Sequence, residues 1–133
     1  FAANGLSLGD HRFFTADARY FLKAALKRGE KYGLIILDPP SFARGKNNEP
    51  FSVRKNLGEV LIQCRQVLET SGTLFVSTNF SQWAEEDLEK VIEKEIGQVE
   101  YLPVPHLPLD YRKQETPIIY RWLRPMSGLR RFS

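Results

Sequence analysis

Two uninterrupted apolar runs, Tyr32-Gly33-Leu34-Ile35-Ile36-Leu37 and Gly72-Thr73-Leu74-Phe75-Val76-Ser77-Thr78, stand on either side of a segment with helical periodicity. This alternation constrains the chain more than any other feature. Runs of strand length without polar alternation argue for strands buried on both faces, as in a parallel sheet, and parallel neighbours need a crossover. Val53, Leu57, Val60, Leu61, Cys64, Val67 and Leu68 step by three and four along one face and supply it, with an end expected near Thr70-Ser71-Gly72. Upstream, Arg12–Ala16 reads as a short strand, followed by a helix in which Ala18, Phe21, Leu22, Ala25 and Leu26 share a face. Asp17 stands at its N-cap and Gly29 at its exit. Downstream come a helix from Ser81 or Gln82 to Gly97, a strand in Gln98–Val104, and a last strand within Thr116–Pro125. The order β-α-β-α-β-α-β-β predicts an open α/β sheet with helices on both faces. The last two strands, with no helix between them, should close as an antiparallel pair.

The 133 residues suffice for one core, so a single domain is the expectation. One cysteine excludes an intramolecular disulfide framework, no His/Cys cluster has metal-ligand spacing, and no apolar run approaches the ~20 residues needed to cross a bilayer. A reducing, cytoplasmic compartment with no membrane partner follows as the expectation. The net charge of +3 is mild, although Arg121, Arg124, Arg130 and Arg131 concentrate positive charge near the end, which permits a polyanionic partner. The opening Phe1-Ala2-Ala3-Asn4-Gly5-Leu6 reads as the last turn of a helix with a glycine exit, and hence as a piece of a longer chain.

Ligands of open α/β sheets bind in the crevice outside the carboxyl ends of the strands. Asp17, Asp38 and the cluster Ser77-Thr78-Asn79 all fall at such ends. Asp17 is equally readable as a plain N-cap. Asp38 is followed by Pro39 and Pro40, which fix φ and remove backbone donors. The strand therefore exits stiffly, presenting the Asp38 carboxylate and the Pro39 carbonyl as acceptors, an arrangement suited to a planar group bearing N–H donors, such as a nucleobase. Phe42 has the position to stack on that base. The bland alternative is that the prolines only terminate a strand and Phe42 belongs to the core.

The stretch Asp38-Pro39-Pro40-Ser41-Phe42, after an apolar strand and before Ala43-Arg44-Gly45-Lys46, resembles motif IV of the class I S-adenosylmethionine-dependent methyltransferases. The variant is that of the bacterial 23S ribosomal RNA large-subunit methyltransferases. The resemblance extends through Gly72–Asn79 and back through Phe1–Leu6 and Phe14–Arg19, so that it covers Phe1 to about Leu123. It implies a Rossmann-like class I methyltransferase sheet, incomplete at its N-terminal side, with residues 1–133 as the C-terminal portion of a catalytic domain. It further implies that Asp17, with Ala18, binds the adenine amine of S-adenosyl-L-methionine. Asp38, Pro39 and Pro40 would orient the target base against the methyl sulfonium, Asp38 also bordering the cofactor, with Phe42 packed on base or cofactor. Arg44 and Lys46 would hold RNA phosphates, or simply be solvated. Asn79 would help fix the base, or serve as a turn residue.

Two departures qualify this. The glycine-bearing strand-turn-helix of the family's cofactor site, and the acid after its second strand, have no counterpart here; Gly5 and Gly9 follow no strand. No cysteine stands beside Asp38 or at the end of Gly72–Thr78, so a thiolate mechanism at a pyrimidine carbon is disfavoured and methylation of a nitrogen remains; the resemblance implies a guanine or adenine nitrogen in RNA, ribosomal RNA foremost. The fragment alone should be inactive. It should also rearrange, leave a sheet edge open, or pair with another copy as a homo-oligomer. The competing reading is a non-catalytic α/β module that binds RNA or a protein. A nucleotide-binding enzyme of another doubly wound family lacks the glycine loop that would support it.

Overall fold

The computed structural model describes residues 2–7, 9, 11–44, 49–103 and 118–126. Strands β1 (Tyr32–Leu37), β4 (Leu68–Thr78), β6 (Ile119–Pro125) and β5 (Val99–Tyr101) form one sheet in the order β1-β4-β6-β5. A separate antiparallel hairpin joins β2 (Phe42–Arg44) to β3 (Pro50–Ser52). β1 and β4 are parallel, as the continuous apolar runs require; β6 is antiparallel to both β4 and β5. The expected terminal pair is thus present, with β6 inserted between β4 and β5.

Helices α1 (Ala18–Lys27), α2 (Val53–Val67) and α3 (Glu85–Ile96) lie side by side, α2 touching both of the others. Leu57, Leu61, Cys64 and Val67 of α2, Leu88 and Ile92 of α3, and Leu22 and Ala25 of α1 form the core with Leu74 and Val76 of β4 and Leu123 of β6. Each large side chain fully buried there contributes ~1.5–3 kcal/mol relative to exposure. Alternation along the strands sends their neighbours to the opposite face. That face carries Leu34 and Ile36, which are exposed, and Phe75, whose ring lies 6.0 Å from Tyr120 and 6.5 Å from Trp122. Helices are expected on both faces of such a sheet; those described line one. The reason is the handedness of the crossovers: α2 carries the chain from β1 to β4 and α3 from β4 to β5, both in the same direction across the sheet, and right-handed connections in one direction stay on one side.

Several boundaries depart from the sequence reading. Arg12–Ala16 is not a strand: it has no neighbour in the sheet, whose β1 edge is unpaired among the described residues, and Phe14 instead packs on Phe21 of α1 at 5.1 Å. A strand needs a neighbouring strand to take its backbone hydrogen bonds, and the sheet offers none here. The segment read as one loop after Asp38 contains the β2–β3 hairpin. Thr70-Ser71-Gly72 is a bulge inside β4 rather than a helix end, because Tyr32 pairs with Leu68 and Leu34 with Thr73, leaving four residues of β4 opposite one of β1. Helix α3 begins at Glu85; Ser81 and Gln82 form a turn, and the Ala84 N–H donates to Asp87 Oδ2 at 2.9 Å. Three acids in its first turn suit the positive end of the helix dipole. In the opening segment Ala2–Asn4 is a 3-10 turn and Gly5 takes φ 67°, the left-handed conformation expected of a glycine exit.

Candidate active site

The parallel pairing of β1 and β4 determines the site. Leu37 is in register with Val76, both facing the helices, so the next residue of each strand, Asp38 and Ser77, turns to the opposite face at adjacent positions. Ser77 Oγ donates to Asp38 Oδ1 at 2.5 Å, and Ser77 is 6% exposed while Asp38 is open to solvent. Beyond it, three residues after Asp38 and two after Ser77, Ser41 Oγ donates to Asn79 Oδ1 at 2.7 Å. The Val53 N–H closes the hairpin by donating to the Ser41 carbonyl at 3.2 Å. The Asp38–Ser41 loop is therefore tied to the end of β4 at two points and to the start of α2 at a third. Among the described residues no donor reaches Asp38 Oδ2.

The prolines behave as their chemistry demands: Pro39 is half-buried, Pro40 exposed, and neither supplies a backbone donor to the acceptors around it. Phe42 is 61% exposed on β2, which removes the core alternative and leaves its ring free to stack. Arg44, at the far end of the same strand, is exposed and makes no ion pair among the described residues. Lys46 lies outside the described residues. Asn79, expected to hold a base, holds Ser41 through its carbonyl oxygen, which leaves its amide nitrogen as a donor. Thr78 is fully buried and accepts from the Phe80 N–H at 3.2 Å, a purely structural role.

Asp17 caps α1 by accepting from the Arg19 N–H at 2.9 Å, and Arg19 also forks onto it, Nε to Oδ1 at 3.1 Å and Nη2 to Oδ2 at 2.8 Å. These charge-assisted bonds hold the Asp17 carboxyl below its ordinary pKa, the Arg19 side chain being the main cause. Arg19 reaches Glu49 at 3.8 Å as well, one residue ahead of β3, so the Asp17 end of α1 is linked to the hairpin that carries Phe42. Could Asp17 still take an adenine amine? A carboxylate offers about four acceptor positions, three are used, and the fourth suffices for one N–H donor. Ala18 beside it is exposed and imposes no bulk. The residues present fit that part of an S-adenosylmethionine site.

The other candidates resolve against chemistry. Cys64 is 1% exposed in the core face of α2, and burial pushes its thiol up to about 12, so it is no nucleophile. Arg121 is committed to Glu89 at 2.6 Å and Glu85 at 2.7 Å, tying β6 to α3, and Arg124 pairs with Glu100 at 3.3 Å. Two of the four C-terminal arginines are thus internal partners rather than a surface for a polyanion, and Arg130 and Arg131 lie outside the described residues. Among these residues no group of three or more His, Cys, Asp or Glu could hold a metal, and no helix is long and apolar enough to cross a membrane. Sequence reasoning overlooked Arg19 and Ser41, and noticed Ser77 only as part of a polar cluster. Spacing between Asp17 and Arg19 was the available signal for the first.

No protein-family model matches the chain. It is 38% identical over 79 residues to the ribosomal RNA large subunit methyltransferase K/L of Methylococcus capsulatus, covering 59% of this chain and 11% of that one. With the corresponding protein of Shewanella frigidimarina it shares 31% identity over 116 residues, 85% of this chain and 15% of the relative. The chain spans about a tenth to a seventh of these two relatives. Among solved structures, one named as a methyltransferase and complexed with SAH superimposes with a TM-score of 0.83 at 31% identity, covering 92% of this chain and 34% of that one. A SAM-dependent methyltransferase from Agrobacterium tumefaciens shares the fold at a TM-score of 0.73 and 20% identity, over 94% of this chain and 43% of that one. In sequence and in fold the chain resembles class I S-adenosylmethionine-dependent methyltransferases, those of large-subunit ribosomal RNA among them.

Proposed function

We propose that this chain is the C-terminal portion of an S-adenosylmethionine-dependent catalytic domain that methylates a nucleobase nitrogen in RNA, ribosomal RNA foremost, in the cytoplasm. The observation that carries the reading is the Asp38 carboxylate at the end of β1, held by Ser77 of β4, with the loop after it tied to Asn79 through the Ser41 hydroxyl; the Pro39 carbonyl would be the second acceptor beside it. Rigid acceptors stabilise one orientation of a planar N–H-bearing ring and so lower the entropic part of the barrier. Bound S-adenosylmethionine supplies a methyl group on a positively charged sulfur, for which Asp17 would anchor the adenine. Asp38 orients the target nitrogen, and its anionic charge favours the positive charge that develops on that nitrogen during attack. Phe42 stacks on the base and Arg44 meets a phosphate. Cys64 being buried, no covalent adduct to the base is part of the scheme. The portion described is inactive by itself, since the acceptor for the cofactor ribose and the glycine turn are not among its residues.

The test uses the complete protein that carries this chain, RNA from cells lacking its gene, and cofactor labelled in the methyl group. The expected result is label in large-subunit RNA, released on digestion as an N-methylated base, and lost at least about a hundredfold in Asp38→Ala. Label at a ring carbon or a ribose, or activity untouched by Asp38→Ala, refutes the reading. RNA binding without any transfer would favour the non-catalytic module.

A further inference from the structure

Resting on the reading above, a second residue of the same site is assigned by its geometry. Asp38 is exposed, and an exposed carboxylate on a short side chain ordinarily samples several rotamers. Here one oxygen is pinned by Ser77 Oγ at 2.5 Å, from a buried residue on the neighbouring strand. The register leaves Ser77 no alternative direction: Val76 and Thr78 on either side of it are buried toward the helices, so Ser77 projects to the Asp38 side. The Ser77 hydroxyl donates its single proton to Oδ1, and no donor among the described residues reaches Oδ2.

We propose that Ser77 is the positioning residue of the site, dividing the Asp38 carboxylate into an occupied oxygen and a free one, so that the site selects a substrate nitrogen presented with N–H donors. The Ser41–Asn79 bond fixes the other end of the same loop, and together the two bonds hold the acceptor pair against the end of β4. Ser77 acts through Asp38 and touches no reacting atom.

The experiment compares Ser77→Ala, Ser77→Thr, Asp38→Ala and the double variant Ser77→Ala/Asp38→Ala in the complete protein, measuring methyl transfer to RNA and the urea unfolding midpoint. Expected for Ser77→Ala is a fall in kcat of about ten- to a hundredfold with KM for the cofactor within about twofold, because orientation rather than cofactor binding is disturbed. Ser77→Thr, which keeps the hydroxyl, recovers most of that loss. In the Asp38→Ala background, removing Ser77 changes kcat no further, and the midpoint shifts of the two single variants fail to add. The assignment is overturned if the losses multiply independently, if Ser77→Thr is as poor as Ser77→Ala, or if KM for the cofactor carries the effect. Absence of any methyl transfer by the unsubstituted protein refutes the functional reading instead. The unfolding cycle then still decides the contact: additive midpoint shifts refute it.

Discussion

The same chemical change, glycine to alanine, should have opposite signs at two positions of this chain. At Gly72, inside the β4 bulge, an added Cβ would lie 2.9 Å from both Cγ and Cδ1 of Leu68 and 3.1 Å from the Glu69 carbonyl oxygen. Carbon atoms rest at about 3.5–4.0 Å, so contacts must open by roughly 0.6 Å or more, against a Leu68 that is 2% exposed and against backbone. Overpacking of that kind costs about 1–3 kcal/mol. The reduced freedom of the unfolded chain returns about 0.4–1 kcal/mol, and the net is a loss of about 1–2 kcal/mol. At Gly58, in the middle of α2, the three atoms nearest the added Cβ all belong to the side chain of Glu95, Oε1 at 3.1 Å and Cδ and Cγ at 3.2 Å. That side chain can rotate, giving up a surface pair with exposed Lys94 that contributes at most about 1 kcal/mol, while alanine in a helix interior gains about 0.8–1 kcal/mol over glycine. Gly58→Ala should therefore be neutral to slightly stabilising. Urea unfolding followed by the fluorescence of Trp83 and Trp122 reads both variants as shifts of midpoint at constant slope. A Gly72→Ala protein as stable as the parent, or a Gly58→Ala protein that loses as much, would refute the packing argument.

Two further outcomes concern titration. Cys64 should resist a thiol reagent at pH 8 in the native chain and react fully once urea has unfolded it; rapid native reaction would contradict its burial. Because its folded pKa is raised to about 12 against an ordinary ~8.5, the unfolded chain loses that proton first, and stability should decline as pH rises from about 8.5 toward 12. Asp17 runs the other way: its folded pKa is lowered, chiefly by Arg19, so its contribution is complete above the unfolded value of ~3.9 and vanishes as pH falls through the folded one. Arg19→Gln should lower the unfolding midpoint at pH 7, and the difference from the parent should close as pH falls below the ordinary Asp value and through the lowered folded one; a gap that persists in strong acid would show that Arg19 acts through packing instead.

What the sequence made legible was local. Asp17 at a cap, Gly29 at φ 70° after α1, the α2 stripe and the prolines after Asp38 all act through neighbours a few residues away, and the structure places them as their chemistry demands. What stayed hidden depends on partners far along the chain. Arg12–Ala16 has strand-forming residues but no strand beside it in the described sheet, and propensity yields to that context. Thr70-Ser71-Gly72 carries turn chemistry that a bulge uses as readily as a helix end, and only the pairing of Leu68 with Tyr32 decides between them. The bond between Ser77 and Asp38 spans 39 residues and exists because Leu37 and Val76 are in register, which no spacing announces. Likewise the single-sided helical layer follows from strand order, a global property.

The closure of the hairpin at Ser41 and Val53 has an evolutionary consequence. β2 (Phe42–Arg44) and β3 (Pro50–Ser52) form a paired cassette whose base is closed by the Val53 N–H to the Ser41 carbonyl, so the length between them can change without moving the strands that bear Asp38 and Ser77. Doubling such a loop adds only about 0.6 kcal/mol of closure entropy. Substrate preference, which Phe42 and Arg44 on this cassette would influence, can thus diverge by insertion and deletion while the acceptor pair stays in place. If the proposed function holds, grafting cassettes between such proteins should exchange their substrate preference more readily than it disturbs their folding.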